Sequence, residues 1–333
     1  MKDGVNRQIL LVEKPSGKLA PEHFRLVEGA VPQPNEGEAL LRVRLISLDA
    51  ANRAWMQGAT YRSAVEANSV MAGGAIAEVV ASKAAGFAPG DLVFADTGWQ
   101  DFAALPAKAL AKVPRVEPMT YLLSIYGIAG LTAYFGLLDI GRPEAGETLV
   151  VSAAAGSVGS IVGQIGKIRG CRVVGVAGGP EKYHWLTETL GFDAAVDYKK
   201  DGLFKALREA APKGIDVYFD NVGGAVLETC LPLMNVRGRI VCCGAISQYD
   251  GPPSATGPRG IPGLIVVKRL RMEGFIVTDF FNQRERAIAN LSGWVKEGRL
   301  QVEEDVIEGL ENTPAALIGL LAGDNRGKRM VRV

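Results

Sequence analysis

Ala154, Gly156 and Gly159 give the spacing A-x-G-x-x-G directly after an apolar run at residues 149–152. A glycine at 156 lets backbone approach a pyrophosphate. One at 159 lets a following helix lie close to the strand, and the start of that helix offers unpaired N–H groups to phosphate oxygens. The loop Ala154, Gly156, Ser157, Val158 and Gly159 is therefore a candidate dinucleotide cradle. Ala154 stands where the first glycine usually stands, and taken alone the spacing also suits a packing turn between strand and helix.

About twenty positions past such glycines, folds that prefer NADH place an acid on the adenosine ribose hydroxyls. Here that place reads Ala177-Gly178-Gly179, with Lys182 just beyond. A missing carboxylate removes repulsion against a 2′-phosphate. Lys182 supplies a cation and Tyr198, past the next strand, a hydroxyl, so the residues favour NADPH. Lys182 is equally placed to be an exposed lysine at a helix start. A second polar group falls in residues 47–61, SLDAANRAWMQGATY, where Asp49, Asn52, Arg53 and Tyr61 either face a cleft or are solvated on a helical turn.

Other chemistries are excluded. The cysteines are Cys171, Cys230, Cys242 and Cys243, with no C-x-x-C spacing, and the histidines are His23 and His184. Structural zinc needs four clustered thiolates or imidazoles and catalytic zinc about three protein ligands, so no metal is expected. The adjacent Cys242 and Cys243 read as small apolar residues of a buried strand rather than a redox pair. A net charge of +1 gives no electrostatic case for nucleic acid or an anionic membrane as partner. There is no run of about eighteen apolar residues. The first seven residues lack a basic-then-apolar leader pattern, and a cytoplasmic protein is expected.

These groups must be positioned by more than one core, because 333 residues exceed the size at which single cores stop growing, roughly 250–300 residues. Residues 8–112 read as short strands (8–13, 24–31, 38–48, 75–81) broken by Pro- and Gly-rich turns, the texture of a barrel or sandwich. From Tyr121 the texture changes to a helix at 125–138. Strands and helices then alternate: strand 172–177, helix 181–190, strand 194–197, helix 202–210, strand 215–221, helix 224–231 and strand 238–243. A strand at 272–278 and a helix at 282–298 follow. That alternation implies a parallel sheet with crossover helices, the context the glycine spacing requires. A strand at 302–309, a helix at 313–322 and a strand at 330–333 read as a return to the first domain. The expected division is 1–120 plus 300–333, and 121–299.

The segments AAAGSVGSIVGQIGKIRGCRVVG, EKYHWLTETLGFDAAVDYK, YFDNVGG, IVCCGAIS and LAGDNRGK, in this order, resemble the zinc-independent medium-chain dehydrogenase/reductases of the leukotriene B4 12-hydroxydehydrogenase, or prostaglandin reductase, group. Bacterial and plant members of that group resemble NADPH-dependent alkenal double-bond reductases. The resemblance implies an α/β plus β fold, in which a Rossmann domain with a doubly wound parallel sheet binds NADPH and a GroES-like β-barrel completes the catalytic unit. It also implies a homodimer. Lys182 and Tyr198 then hold the 2′-phosphate, Asn221 and Asn325 lie near the nicotinamide, and Cys243 and Tyr249 line the cofactor. One departure stands out: animal members carry a tyrosine proposed to assist the reaction where this chain has Val267. SLDAANRAWM resembles a segment of bacterial members around the active site, in which proline is commoner where Ala50 stands.

The implied reaction is 1,4-reduction of an α,β-unsaturated ketone or aldehyde: hydride to the β-carbon, negative charge on the carbonyl oxygen, then a proton to the α-carbon. The oxygen needs a donor, and Tyr61, Tyr249 and the cofactor ribose hydroxyl are the candidates. A quinone reductase of the same superfamily and a non-catalytic NADPH-binding protein are the rival readings, the second favoured by Val267. The Gly- and Pro-rich stretch 249–263 is either a mobile lid or a rigid connection.

Overall fold

The computed structural model describes residues 4–250 and 261–333. Most of the stretch expected to be a lid or connection, 249–263, lies outside the described residues. The first strands are β1 (Val5–Leu11), β2 (Phe24–Ala30), β3 (Glu38–Ser47), β4 (Ser69–Val70), β5 (Gly74–Ser82), β6 (Leu92–Asp96), β7 (Phe102–Pro106) and β8 (Ala111–Lys112). Then come β9 (Thr148–Ser152), β10 (Arg172–Ala177), β11 (Ala194–Asp197), β12 (Ile215–Asp220), β13 (Met234–Cys242) and β14 (Arg271–Gly274). The chain closes with β15 (Glu304–Glu308) and β16 (Lys328–Arg332). The helices are α1 (Ala51–Gln57), α2 (Ile128–Phe135), α3 (Ser157–Ile168), α4 (Pro180–His184), α5 (Leu203–Ala210), α6 (Gly224–Cys230), α7 (Ile261–Lys268), α8 (Arg284–Lys296) and α9 (Thr313–Ala322).

Six strands form an all-parallel sheet in the order β11-β10-β9-β12-β13-β14. The chain starts in the middle at β9, winds outward through β10 and β11, then crosses back to β12 on the other side of β9. That reversal makes a crevice beyond the C-terminal ends of β9 and β12, where doubly wound folds bind their ligands. Every residue of β9 is buried, because alternate side chains meet different layers: Leu149 and Val151 pack with α2, α3 and α8, while Val150 packs with α5, α6 and Leu270.

A seven-stranded sheet runs β15-β16-β3-β5-β6-β8, with β7 also on β3, and a three-stranded sheet runs β2-β1-β4. The last strand, β16, lies antiparallel to β3, and β15 lies parallel to β16. Glu304 of β15 is tied to the start of the α/β region by the hydroxyls of Thr120 and Ser124, which donate to its carboxylate at 2.6 and 2.5 Å.

Strands β4, β6, β7 and β8 add to those expected in the first domain, β13 begins four residues before the expected 238, and three further elements differ as follows. The helix expected over 125–138 is α2 followed by a wider turn, in which the Arg142 N–H reaches back five residues to the Leu137 carbonyl. The strand expected over 272–278 stops at Gly274, since among the described residues β14 pairs only with β13, over four residue pairs, and no strand on its outer side extends it. Helix α7 falls where residues up to 263 read as loop. Its sequence IPGLIVVK is apolar all round, so no polar face marks it as a helix.

Candidate active site

Above the crevice lies a cavity of about 460 Å³, walled by the C-terminal ends of β9, β10, β12 and β13 on one side and by residues 48–51 and 320–329 on the other. Its floor begins where β9 ends. Ala153 takes a left-handed conformation, φ +47°, that turns the chain sharply away from the strand. Gly156 then caps α3, whose first intrahelical bond is Ser160 N–H to the Gly156 carbonyl. Ser157, Val158 and Gly159, whose N–H groups precede that bond, line the cavity, and a helix start so placed accepts anions.

At the β10 end, Gly178, Lys182 and Tyr198 line the cavity together. The Lys182 ammonium donates to the Gly323 carbonyl at 2.5 Å. Its pKa is lowered first by desolvation and next by Lys199, with Arg329 and Arg326 acting the same way and Asp324 opposing. Cations that lower the proton affinity of Lys182 form with it a site suited to a dianion. Lys199 is the member that sequence reading missed. It lines the same cavity, and its chain lies so close over Gly178 that a Cβ there would meet Lys199 Cε at 2.8 Å. Nothing in the pair Lys199-Lys200 indicates which lysine faces inward.

At the opposite end, Asn221, Cys243, Tyr249 and Asn325 line the cavity. The Asn221 amide donates to the Ser152 carbonyl at 2.7 Å. Asn325 is buried and donates to the Gly327 carbonyl, and the Gly327 N–H donates to Ala155, so the 323–327 loop is pinned against the glycine turn. The Cys242 and Cys243 thiols are pushed up to about 11 and about 12, first by burial and then by Asp220. Both remain protonated at neutral pH and are poor nucleophiles. The Tyr249 hydroxyl oxygen accepts the Ala245 N–H at 3.1 Å, which leaves its own proton free to donate. Gln57 of α1 holds the Tyr249 carbonyl at 2.8 Å, and buried Arg53 on the same helix pairs with Asp250 at 3.0 Å.

Two proposed site residues lie off the cavity wall. Ala154 is fully buried beneath the turn, against Gly175, where a glycine is not required. Tyr61 is 58% exposed and packs its edge on Trp55, although it is near enough to Asp49 and Tyr249 for both to raise its pKa, after desolvation. Val267 on α7 is 68% exposed and is likewise not on the wall. Among the described residues, no three His, Cys, Asp or Glu side chains converge.

Asp49 supplies a charge that the sequence left open between cleft and solvent. It lines the cavity, accepts the Ser47 hydroxyl at 2.6 Å and pairs with the buried Lys328 ammonium at 2.6 Å. Desolvation pulls its pKa up, but Lys328 and Ser47 together pull it further down, below the ordinary value. A depressed carboxylate stabilises the fold above its unfolded pKa, about 3.9, and the contribution is lost as pH falls through the lower folded value. Asp49→Asn is therefore expected to cost about 2 kcal/mol at pH 7 and less at pH 3. Urea denaturation at the two pH values checks this.

Comparison with known proteins matches this geometry. Residues 7–113 fit the family described as the N-terminal domain of oxidoreductase, and residues 157–293 the family described as zinc-binding dehydrogenase. A GroES-like N-terminal domain joined to a Rossmann-like parallel sheet defines a medium-chain dehydrogenase/reductase. The NADPH-dependent curcumin reductase of Escherichia coli (strain K12) is 44% identical, over 98% of this chain and 97% of its own. Prostaglandin reductase 1 of Bos taurus is 43% identical, over 93% of each chain. The crystal structure of CurA in complex with NADPH from Vibrio vulnificus superposes with a TM-score of 0.93 at 42% identity, covering 98% of this chain and 99% of that one. The chain belongs to the zinc-independent medium-chain dehydrogenase/reductases, in the group that holds the curcumin, prostaglandin and 2-alkenal reductases.

Proposed function

We propose that this protein uses NADPH to reduce the C=C bond of α,β-unsaturated ketones and aldehydes. One observation carries the reading: a single cavity joins the free N–H groups at the start of α3 to a cluster of cations at one end and to the Tyr249 hydroxyl at the other. The residues fit the cofactor. Gly156, Ser157, Val158 and Gly159 would receive the pyrophosphate. Lys182, Tyr198 and Lys199 would receive the 2′-phosphate, with Gly178 leaving room where an acid would repel it. Asn221, Cys243 and Asn325 would flank the nicotinamide.

When bound, the cofactor supplies the hydride. The chain does the rest. The cavity walls orient the substrate, and charge gathering on the substrate carbonyl oxygen needs a donor aimed at it. Tyr249 suits that role because its oxygen is already engaged as an acceptor. Tyr249→Phe is expected to lower turnover of an enone about tenfold to a hundredfold while NADPH still binds. Tyr61→Phe, off the wall, is expected to have a smaller effect. Steady-state kinetics with a fixed enone decides, and unchanged turnover in Tyr249→Phe would remove this hydroxyl from the reaction. NADPH consumption with an enone, a simple quinone and no substrate tests the reaction itself. Preference for the quinone would shift the reading to a quinone reductase, and no consumption above the blank would shift it to a non-catalytic NADPH-binding protein.

We read the protein as a cytoplasmic homodimer. Four cysteines without disulfides suit a reducing compartment. Among the described residues, β14 is an edge strand, and Val266, Val267, Ile276 and Phe281 around it expose apolar side chains that a second copy would cover. Light scattering of the purified protein tests the dimer.

A further inference from the structure

Asp220 ends β12 with its side chain 2% exposed. Its Oδ1 accepts the Ser152 hydroxyl at 3.1 Å, the Tyr218 hydroxyl at 2.8 Å, and the N–H groups of Val222 and Gly223 at 3.0 and 2.9 Å. All of these donors are neutral, and among the described residues no lysine or arginine forms an ion pair with it. Dipoles hold such a charge in place without cancelling it, so its field extends into the surroundings.

The carboxylate lies just beneath the cavity. The Ser152 hydroxyl that it binds also accepts the Asn221 N–H at 2.9 Å, and both Ser152 and Asn221 line the cavity. The field reaches the wall: after burial, Asp220 is the next cause raising the Cys243 thiol. A dinucleotide whose 2′-phosphate sits at the β10 end must cross the switch point and lay its other half over the ends of β12 and β13. That half is a nicotinamide ring, neutral when reduced and positively charged when oxidised.

We infer that Asp220 is a charge buried under the nicotinamide half of the cleft that favours the oxidised cofactor over the reduced one, and so makes bound NADPH a stronger hydride donor. The inference rests on the NADPH reading above. It distinguishes Asp220 from a residue that merely shapes the Asn221–Gly224 turn. A shaping residue would affect both cofactor forms alike, whereas a charge acts on one.

Calorimetric titration of wild type, Asp220→Asn and Tyr218→Phe with NADP+ and with NADPH provides the test. Asp220→Asn keeps an acceptor for the turn and loses the charge, so binding of NADP+ is expected to weaken about tenfold more than binding of NADPH. Tyr218→Phe keeps the charge and removes one donor, so NADP+ is expected to gain about twofold or more over NADPH. Tyr218→Phe alone also decides the matter if Asp220→Asn does not fold. Equal changes for the two forms in either folded variant would overturn the inference and leave Asp220 a turn-former. Wild-type protein that binds neither form would overturn the NADPH reading, and this inference with it.

Discussion

Lys182→Ala is expected to raise the KM for NADPH about tenfold to a hundredfold while the KM for NADH changes little, because a charge-assisted contact to a phosphate is worth roughly 1.5–3 kcal/mol. The ammonium stands half-buried on the first turn of α4, held by the Gly323 carbonyl and crowded by Lys199, Arg326 and Arg329. Desolvation and these neighbours make it a strained cation in the free protein, and a dianion arriving there relieves the repulsion. The remaining cations keep some preference for NADPH, so Lys182→Ala combined with Lys199→Ala is expected to lose more than either alone. Initial-rate kinetics with both nucleotides checks this, and an unchanged ratio of the two KM values would place the 2′-phosphate elsewhere.

Gly159→Val is expected to have the largest effect on the protein as a whole, and the comparison with Gly156→Ala separates packing from ligand approach. A Cβ on Gly159 would lie 2.3 Å from the Ala153 carbonyl oxygen and 2.8 Å from the Ala154 Cα. Those atoms belong to the sharp turn out of β9 and cannot swing aside, so α3 must move off the sheet. Overpacking of that kind costs about 3 kcal/mol or more, and thermal denaturation should show it alongside lost cofactor binding. A Cβ on Gly156 meets only the Ala153 carbonyl oxygen, at 3.2 Å. Gly156→Ala should therefore fold with a near-normal melting temperature and bind NADPH more weakly, because the added methyl group occupies space the pyrophosphate needs. If Gly159→Val retains wild-type stability, the close approach of helix to strand is not what this glycine provides.

The two substitutions also show which features are local. The strand, the tight turn and the helix start follow from side-chain size and apolar runs over sixteen or so neighbouring residues, and the elements from β9 to α6 lie close to where periodicity puts them. Helix α7 escaped because a helix without a polar face has no amphipathic pattern to read. The end of β14 escaped because a strand's length is set by its partner. The position of Tyr61 is of the same kind: its segment reads equally as cleft-facing or solvated, and only the structure shows the ring packed on Trp55 and largely in solvent.

By itself, the sequence determined the parallel α/β rhythm, a turn shaped for phosphates, the want of an acid after β10 and the shortage of metal ligands. Each depends on composition or on spacing within a single segment. Only the tertiary structure decided that Lys199, Arg326 and Arg329 act on the Lys182 charge, that Lys328 partners Asp49 across nearly the whole chain, and that Asp220, beneath the cavity wall, has no cation paired with it among the described residues. The physical reason is strand order. The strand order reverses at β9, and the last strand returns to pair with β3, so groups far apart in the chain are brought to one crevice by hydrogen-bond ladders that no local pattern encodes.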